Sequence, residues 1–167
     1  WYINLTKING LRLDAVKHIP ASFYKNLLPK IYHDFNKELF TVGDYWHGDV
    51  YHLENYLKEV NFEMSLFDVP LHYHFYDASH NENYDFSHIF DQTLVSMYPS
   101  NAVTFVDNHD TEPSQSLASF IPDWFKGHAY CLTLLRKEGY PCVFYGDLEG
   151  IDYENVSSKK EMLQQLL

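Results

Sequence analysis

Gly10-Leu11-Arg12-Leu13-Asp14-Ala15-Val16-Lys17-His18 is the stretch that decides the fold. It is short, mostly apolar, and brings a carboxylate to its end. Phe40-Thr41-Val42-Gly43-Asp44-Tyr45-Trp46 and Phe105-Val106-Asp107-Asn108-His109-Asp110 share that design. Apolar runs of this length read as buried parallel strands. A carboxylate at the C-terminal mouth of such a strand lies where barrel and doubly wound enzymes place their chemistry. Asp14, Asp44 and Asp110 are therefore expected around one cleft.

Working outward, strands are predicted near residues 11–16, 39–45, 65–69, 102–107 and 141–145. Helical spacing of apolar residues covers 22–37, where Pro29 should break or kink the helix, and recurs over 50–60 and 86–97. Residues 123–138 have the clearest helical signature. Asp123 is placed to cap the start, and Gly139 followed by Pro141 marks the stop. Ser157 or Ser158 could cap a last helix running to Leu167. Strands alternating with helices imply βαβ units and a parallel sheet. Five strands fit a doubly wound sheet or part of a (β/α)8 barrel. The doubly wound option calls for a glycine-rich turn after its first strand, and none is present. With neither repeats nor a low-complexity linker, residues 1–167 read as one domain or one piece of a domain.

The 167 residues carry 23 acids against 12 bases, a formal charge of −11. Such a surface repels phosphate backbones, so a nucleic-acid partner is not expected. There is no phosphate-binding glycine loop and no metal-ligand spacing of the Cys-x-x-Cys or His-Glu-x-x-His kind. No apolar stretch is long enough to span a bilayer, so no membrane partner is expected either. Aromatic residues make up 17% of the chain; most should be core, and the rest suit stacking on the apolar faces of sugar rings. Cys131 and Cys142 fall in segments that read as buried, without a disulfide framework. Asn4-Leu5-Thr6 and Asn155-Val156-Ser157 match the glycosylation sequon, which matters only in a secreted context.

Glycoside hydrolysis needs two carboxyl groups about the scissile bond, one ionised and one protonated, in different environments. Residues two apart on a strand point to the same face, so Arg12 can hold Asp14 ionised and aim its oxygens. Lys17 and His18, just past the strand end, are placed to hydrogen-bond hydroxyls. His109 beside Asp110 repeats that arrangement on another strand.

In this order the segments resemble the alpha-amylase family of glycoside hydrolases, family 13. Leu11-Arg12-Leu13-Asp14-Ala15-Val16-Lys17-His18 is similar to its second conserved region, Phe40 to Trp46 to its third, and Phe105 to Asp110 to its fourth. Ser65-Leu66-Phe67-Asp68-Val69-Pro70 and Tyr140-Pro141-Cys142-Val143-Phe144-Tyr145-Gly146-Asp147 match the strands between and after them. The likeness is closest to bacterial liquefying and cytoplasmic alpha-amylases. It implies strands four to eight of a TIM (β/α)8 barrel, with the missing N-terminal half-barrel as a partner. It also implies retaining endo-hydrolysis of α-1,4 bonds in starch- or glycogen-type glucans.

By that resemblance Asp14 is the nucleophile, and Asp110 grips hydroxyls of the sugar under attack. Arg12 supports Asp14, and His109 contacts the same sugar. Lys17 and His18 line the leaving-group side, where Trp46 is a stacking platform or, equally, a core residue. The family's structural calcium would take only the main-chain carbonyl of His18 from this chain, which is not expected to hold the ion alone. Likeness to cytoplasmic forms points to the cytoplasm, with a secreted parent as the alternative.

Two departures stand out. Where the third region ends on Glu, the general acid and base, this chain has Asp44. That carboxyl is one methylene shorter and retracts by roughly 1 Å, less than one carbon–carbon bond. A complete barrel has about 250 residues and eight strands, of which the first three are not in this sequence. Two readings follow: the C-terminal part of a catalytic amylase barrel, or an impaired amylase-like chain that binds glucan or serves as a structural half-barrel.

Overall fold

The computed structural model describes residues 1–36 and 39–167. The chain divides into two compact units, Trp1–Phe67 and Asp68–Leu167.

In the first unit a short helix α1 (Tyr2–Thr6) precedes strand β1 (Gly10–Leu13). Helix α2 (Ala21–Phe35), strand β2 (Phe40–Gly43), helix α3 (Val50–Glu59) and strand β3 (Ser65–Phe67) follow. β1 pairs in parallel with β2, Gly10 opposite Phe40 and Leu13 opposite Gly43, and β2 pairs in parallel with β3. Leu28 of α2, Leu53 and Leu57 of α3, and Leu66 of β3 are fully buried. Each such leucine is worth about 1.5–3 kcal/mol relative to exposure.

In the second unit α4 (Val69–His80) and α5 (Leu94–Met97) lead to β4 (Ala102–Phe105). Then come α6 (Asp123–Leu134), β5 (Tyr140–Cys142), α7 (Tyr145–Glu149) and α8 (Lys160–Leu166). β4 and β5 are parallel, Val103 opposite Tyr140. Parallel strands in chain order, each leading into a helix, are the repeating unit of a (β/α)8 barrel, and these five make part of one. No described helix is long and apolar enough to cross a membrane.

Several boundaries differ from the sequence expectation. All five strands end two or three residues early, and Asp14, Asp44, Asp68 and Asp107 therefore lie just beyond the first four. After β1 the chain turns at Asp14 and Ala15, with Ala15 left-handed at φ 45°, into a 3-10 turn Val16–His18. The ladder still reaches past the strand: Asp44 N donates to Leu13 O and Val16 N to Asp44 O. α2 runs through Pro29 without breaking. Its predicted last residue, Lys37, lies outside the described residues.

The helix expected over 86–97 is instead a 3-10 turn Phe86–His88 and the single-turn α5. α4, unforeseen, is buried on most of its circumference, including Val69, Leu71, His72, Phe75 and Ala78. Such a helix shows no amphipathic stripe for a sequence reading to find. α6 stops at Leu134, and its Asp123 lies in the first turn and pairs with Lys159 instead of capping. Ser158 Oγ accepts from Lys160 N at the start of α8. Cys131 and Cys142 are unpaired and half-buried, where full burial was expected.

Candidate active site

The end of β1 and the end of β2 build one cluster. Arg12 projects from β1 and divides its guanidinium between two acids. Its Nη1 donates to Asp14, and its Nη2 donates to Asp44 Oδ2 at 2.8 Å. Their pairing follows from the strand register, which sets Arg12 opposite Val42 and Leu13 opposite Gly43. The planar fork of an arginine suits this double grip; a lysine could not reproduce it. The two carboxylates differ in access. The Asp14 side chain is 75% exposed and that of Asp44 only 10%. One acid thus faces solvent while the other is seated in the wall.

Beneath Asp44 the backbone is packed to contact. A Cβ on Gly43 would lie 2.8 Å from Met64 Sδ and 3.0 Å from Leu66 Cδ2. Lys17, expected to meet hydroxyls, donates to the Trp46 carbonyl at 3.1 Å and so ties the turn after β1 to the segment after β2. Trp46 is 9% exposed. His18 is exposed at the end of its 3-10 turn. Tyr24 of α2 is a neighbour that the sequence reading missed. Burial, and then the Asp14 charge, push its phenol pKa up.

In the second unit His109 and Asp110 lie in the turn that follows β4. His109 Nε2 is 3.5 Å from Asp110 Oδ2, and both side chains reach solvent. The turn is held from within: Asn108 Oδ1 accepts from the backbone N–H of Asp110 at 2.9 Å and of Thr111 at 3.0 Å.

Around that turn lies a polar core for which no role was expected. Lys126 of α6 donates to Asp107 at 2.7 Å and to Asp147 at 2.5 Å, and all three side chains are fully buried. Tyr130 donates to Asp147 Oδ2 at 2.7 Å. Burial, against the pull of Lys126 and with the push of Asp147, raises the Asp107 pKa to about 7. His72 is buried between the Val106 carbonyl and Ser119 Oγ, and burial lowers its pKa to about 4. Asp68 accepts from Leu71 N, Leu94 N and Val95 N, capping α4 and bracing α5 with one carboxylate. The available signal for the triad was Lys126, a charge on the face of α6 that also carries Ala129, Tyr130 and Thr133.

Among the described residues no three His, Cys, Asp or Glu side chains gather as a metal-binding group.

No family model matches the chain. It is 51% identical over 168 aligned positions to an alpha-amylase of Geobacillus stearothermophilus, covering 100% of this chain and 31% of the relative. It is 46% identical to a glucan 1,4-alpha-maltohexaosidase of Bacillus sp. (strain 707), covering 100% of this chain and 32% of that one. A cytoplasmic alpha-amylase of Escherichia coli (strain K12) is 46% identical over 93% of this chain and 32% of its own length. The chain therefore spans about a third of the length of these curated relatives. With such identity running from end to end of its sequence, and parallel βα units to match, the chain belongs to the alpha-amylase family of glycoside hydrolases.

Proposed function

We propose that the protein carrying this chain is a retaining alpha-amylase that cleaves internal α-1,4 bonds of starch- or glycogen-type glucans. The observation that carries the reading is the Arg12 fork, which gathers Asp14 and Asp44 from the ends of neighbouring strands. Retaining glycosidases need two such carboxyls close together on either side of the scissile bond, about 5–5.5 Å apart. Asp14, the exposed one, attacks the anomeric carbon. As the glycosidic bond breaks, Asp44 delivers a proton to the leaving oxygen. Asp44 then takes a proton from the water that attacks the glucosyl–Asp14 ester, releasing sugar with its configuration retained. Asp110 and His109 hold hydroxyls of the sugar under attack, and His18 lines the leaving-group side. Lys17 serves through Trp46, whose backbone it holds.

A second reading draws on Asp44 itself. Its arm is a methylene shorter than the family's glutamate, and Oδ2 is held on Arg12. A donor misplaced by about 1 Å can cost about 100-fold in rate. In that reading the chain binds glucan without measurable turnover.

The test is release of chromophore from a blocked maltooligosaccharide by the full-length protein and by its Asp14→Asn variant. Turnover that is lost in the variant supports the first reading. Glucan binding with no turnover above background favours the second, and neither binding nor turnover refutes both.

A further inference from the structure

We propose that Asp107, Lys126 and Asp147 are positioning residues for the turn that bears His109 and Asp110. The proposal rests on the reading that Asp110 holds substrate, and it concerns residues to which that reading assigns no role.

β4 ends at Phe105, and the chain forms no helix or strand again until Asp123. One carboxylate closes this segment on itself. Asp107 Oδ1 accepts from Thr111 Oγ1 at 2.9 Å, four residues on, and from Ile121 N at 3.2 Å, fourteen residues on. The Thr111 hydroxyl in turn accepts from Asn108 N at 3.1 Å. Asn108 supplies the side-chain oxygen that holds the Asp110 and Thr111 amides. Asp110 is thus three hydrogen bonds from Asp107, through Thr111 and Asn108.

Asp107 is itself immobilised. Its Oδ2 takes the Lys126 ammonium, which is shared with Asp147 and lies 3.6 Å from the centre of the Phe120 ring. Tyr130 fixes the far oxygen of Asp147, and Lys159 N donates to the Asp147 carbonyl at 2.7 Å. The anchor therefore reaches α6, α7 and the start of α8. A fully buried cation with two carboxylates is a demanding arrangement, since each desolvated charge must be matched in place. Apolar residues would pack the same volume without that constraint. What the charges supply is direction: Asp107 has one oxygen aimed at Lys126 and one at the turn. Preorganised groups held by such a supporting layer keep a reacting constellation within its narrow tolerance.

The experiment uses the full-length protein that carries this sequence. Asp107→Asn, Thr111→Val and Thr111→Ser are made singly, the first two also on an Asp110→Asn background. Steady-state kinetics on a blocked maltooligosaccharide, urea midpoints and amide exchange at Asp110 and Thr111 are then measured. Asp107→Asn and Thr111→Val should each lower kcat by about 10- to 100-fold, and Thr111→Ser should restore it. On the Asp110→Asn background neither should slow the enzyme further, because residues acting through one group are non-additive.

Losses that multiply with Asp110→Asn, or an unchanged kcat in a folded variant, would overturn the proposal. Should Asp107→Asn fail to fold, Thr111→Val, which removes one hydroxyl, decides alone. If the parent protein shows no turnover, the proposed activity fails and exchange decides this proposal. Asp110 and Thr111 amides that exchange at least about tenfold faster in Thr111→Val uphold it, and unchanged exchange refutes it.

Discussion

His72 should make this fold acid-sensitive in a way that one substitution can isolate. The ring is wholly buried, stacked on Phe105 at 5.3 Å between centroids, with Nδ1 2.7 Å from the Val106 carbonyl and Nε2 2.8 Å from Ser119 Oγ. A carbonyl can only accept, so Nδ1 carries the proton, while Nε2 faces the Ser119 hydroxyl, which also lies 2.9 Å from the Leu117 carbonyl. Protonation would bury a second cation near Lys126, and burial first, then Lys126, lower the pKa from 6.5 to about 4. A histidine whose folded pKa is depressed gives stability that is complete above the unfolded value and lost as pH falls toward the folded one. At about 1.4 kcal/mol per pH unit, the full loss is about 3 kcal/mol, of which about 2 kcal/mol appears by pH 5.

Asp107 works in the opposite direction. Its raised pKa means stability that is present below the unfolded value near 3.8 and lost as pH rises through about 7. The two partly cancel in the wild type, so a single pH curve would hide both. Comparison with His72→Asn separates them, because the Asp107 contribution is common to both proteins. Asparagine keeps a donor toward Val106 but cannot titrate. It should destabilise at pH 8, through lost stacking and the lost Ser119 contact, and that deficit should shrink by about 2 kcal/mol at pH 5. Equilibrium urea unfolding at the two pH values measures it. A deficit equal at both would refute the assignment of His72 as a neutral buried ring.

Two further outcomes follow from the β2 end. Asp44→Glu in the full-length protein should raise kcat on a blocked maltooligosaccharide by about 100-fold, by restoring the reach of the proton donor; an unchanged rate would show that arm length does not limit turnover. Gly43→Ala should lower stability by about 1–3 kcal/mol, read as a drop in urea midpoint. A Cβ there meets Met64, Leu66 and Val16 within 3.2 Å, and a neutral result would mean that this packing relaxes.

The strands and the longer surface helices were legible in the sequence because their signals are local. Runs such as Phe40-Thr41-Val42-Gly43 state their own conformation, and α3 shows its apolar stripe within ten residues. The order of the acids along the chain, Asp14, Asp44 and Asp110, was legible for the same reason, as was Arg12 beside Asp14. Helix α4 was not, since a helix buried nearly all round loses the periodicity that reveals it. The short α5 was not either: Asp68, 26 residues earlier, braces its first amides.

Sequence by itself determined which segments are strands, the order of the carboxylates near their ends, and the family to which the pattern belongs. Only tertiary structure decided which charges meet. Arg12 reaches Asp44 across 32 residues because the parallel register aligns their strands, and that aims Asp44 inward while Asp14 faces water. Lys126 finds Asp107 and Asp147 because all three are desolvated in one core. Periodicity marks which face a residue takes. The partner it finds there depends on how strands register and helices pack, which no local stretch of sequence contains.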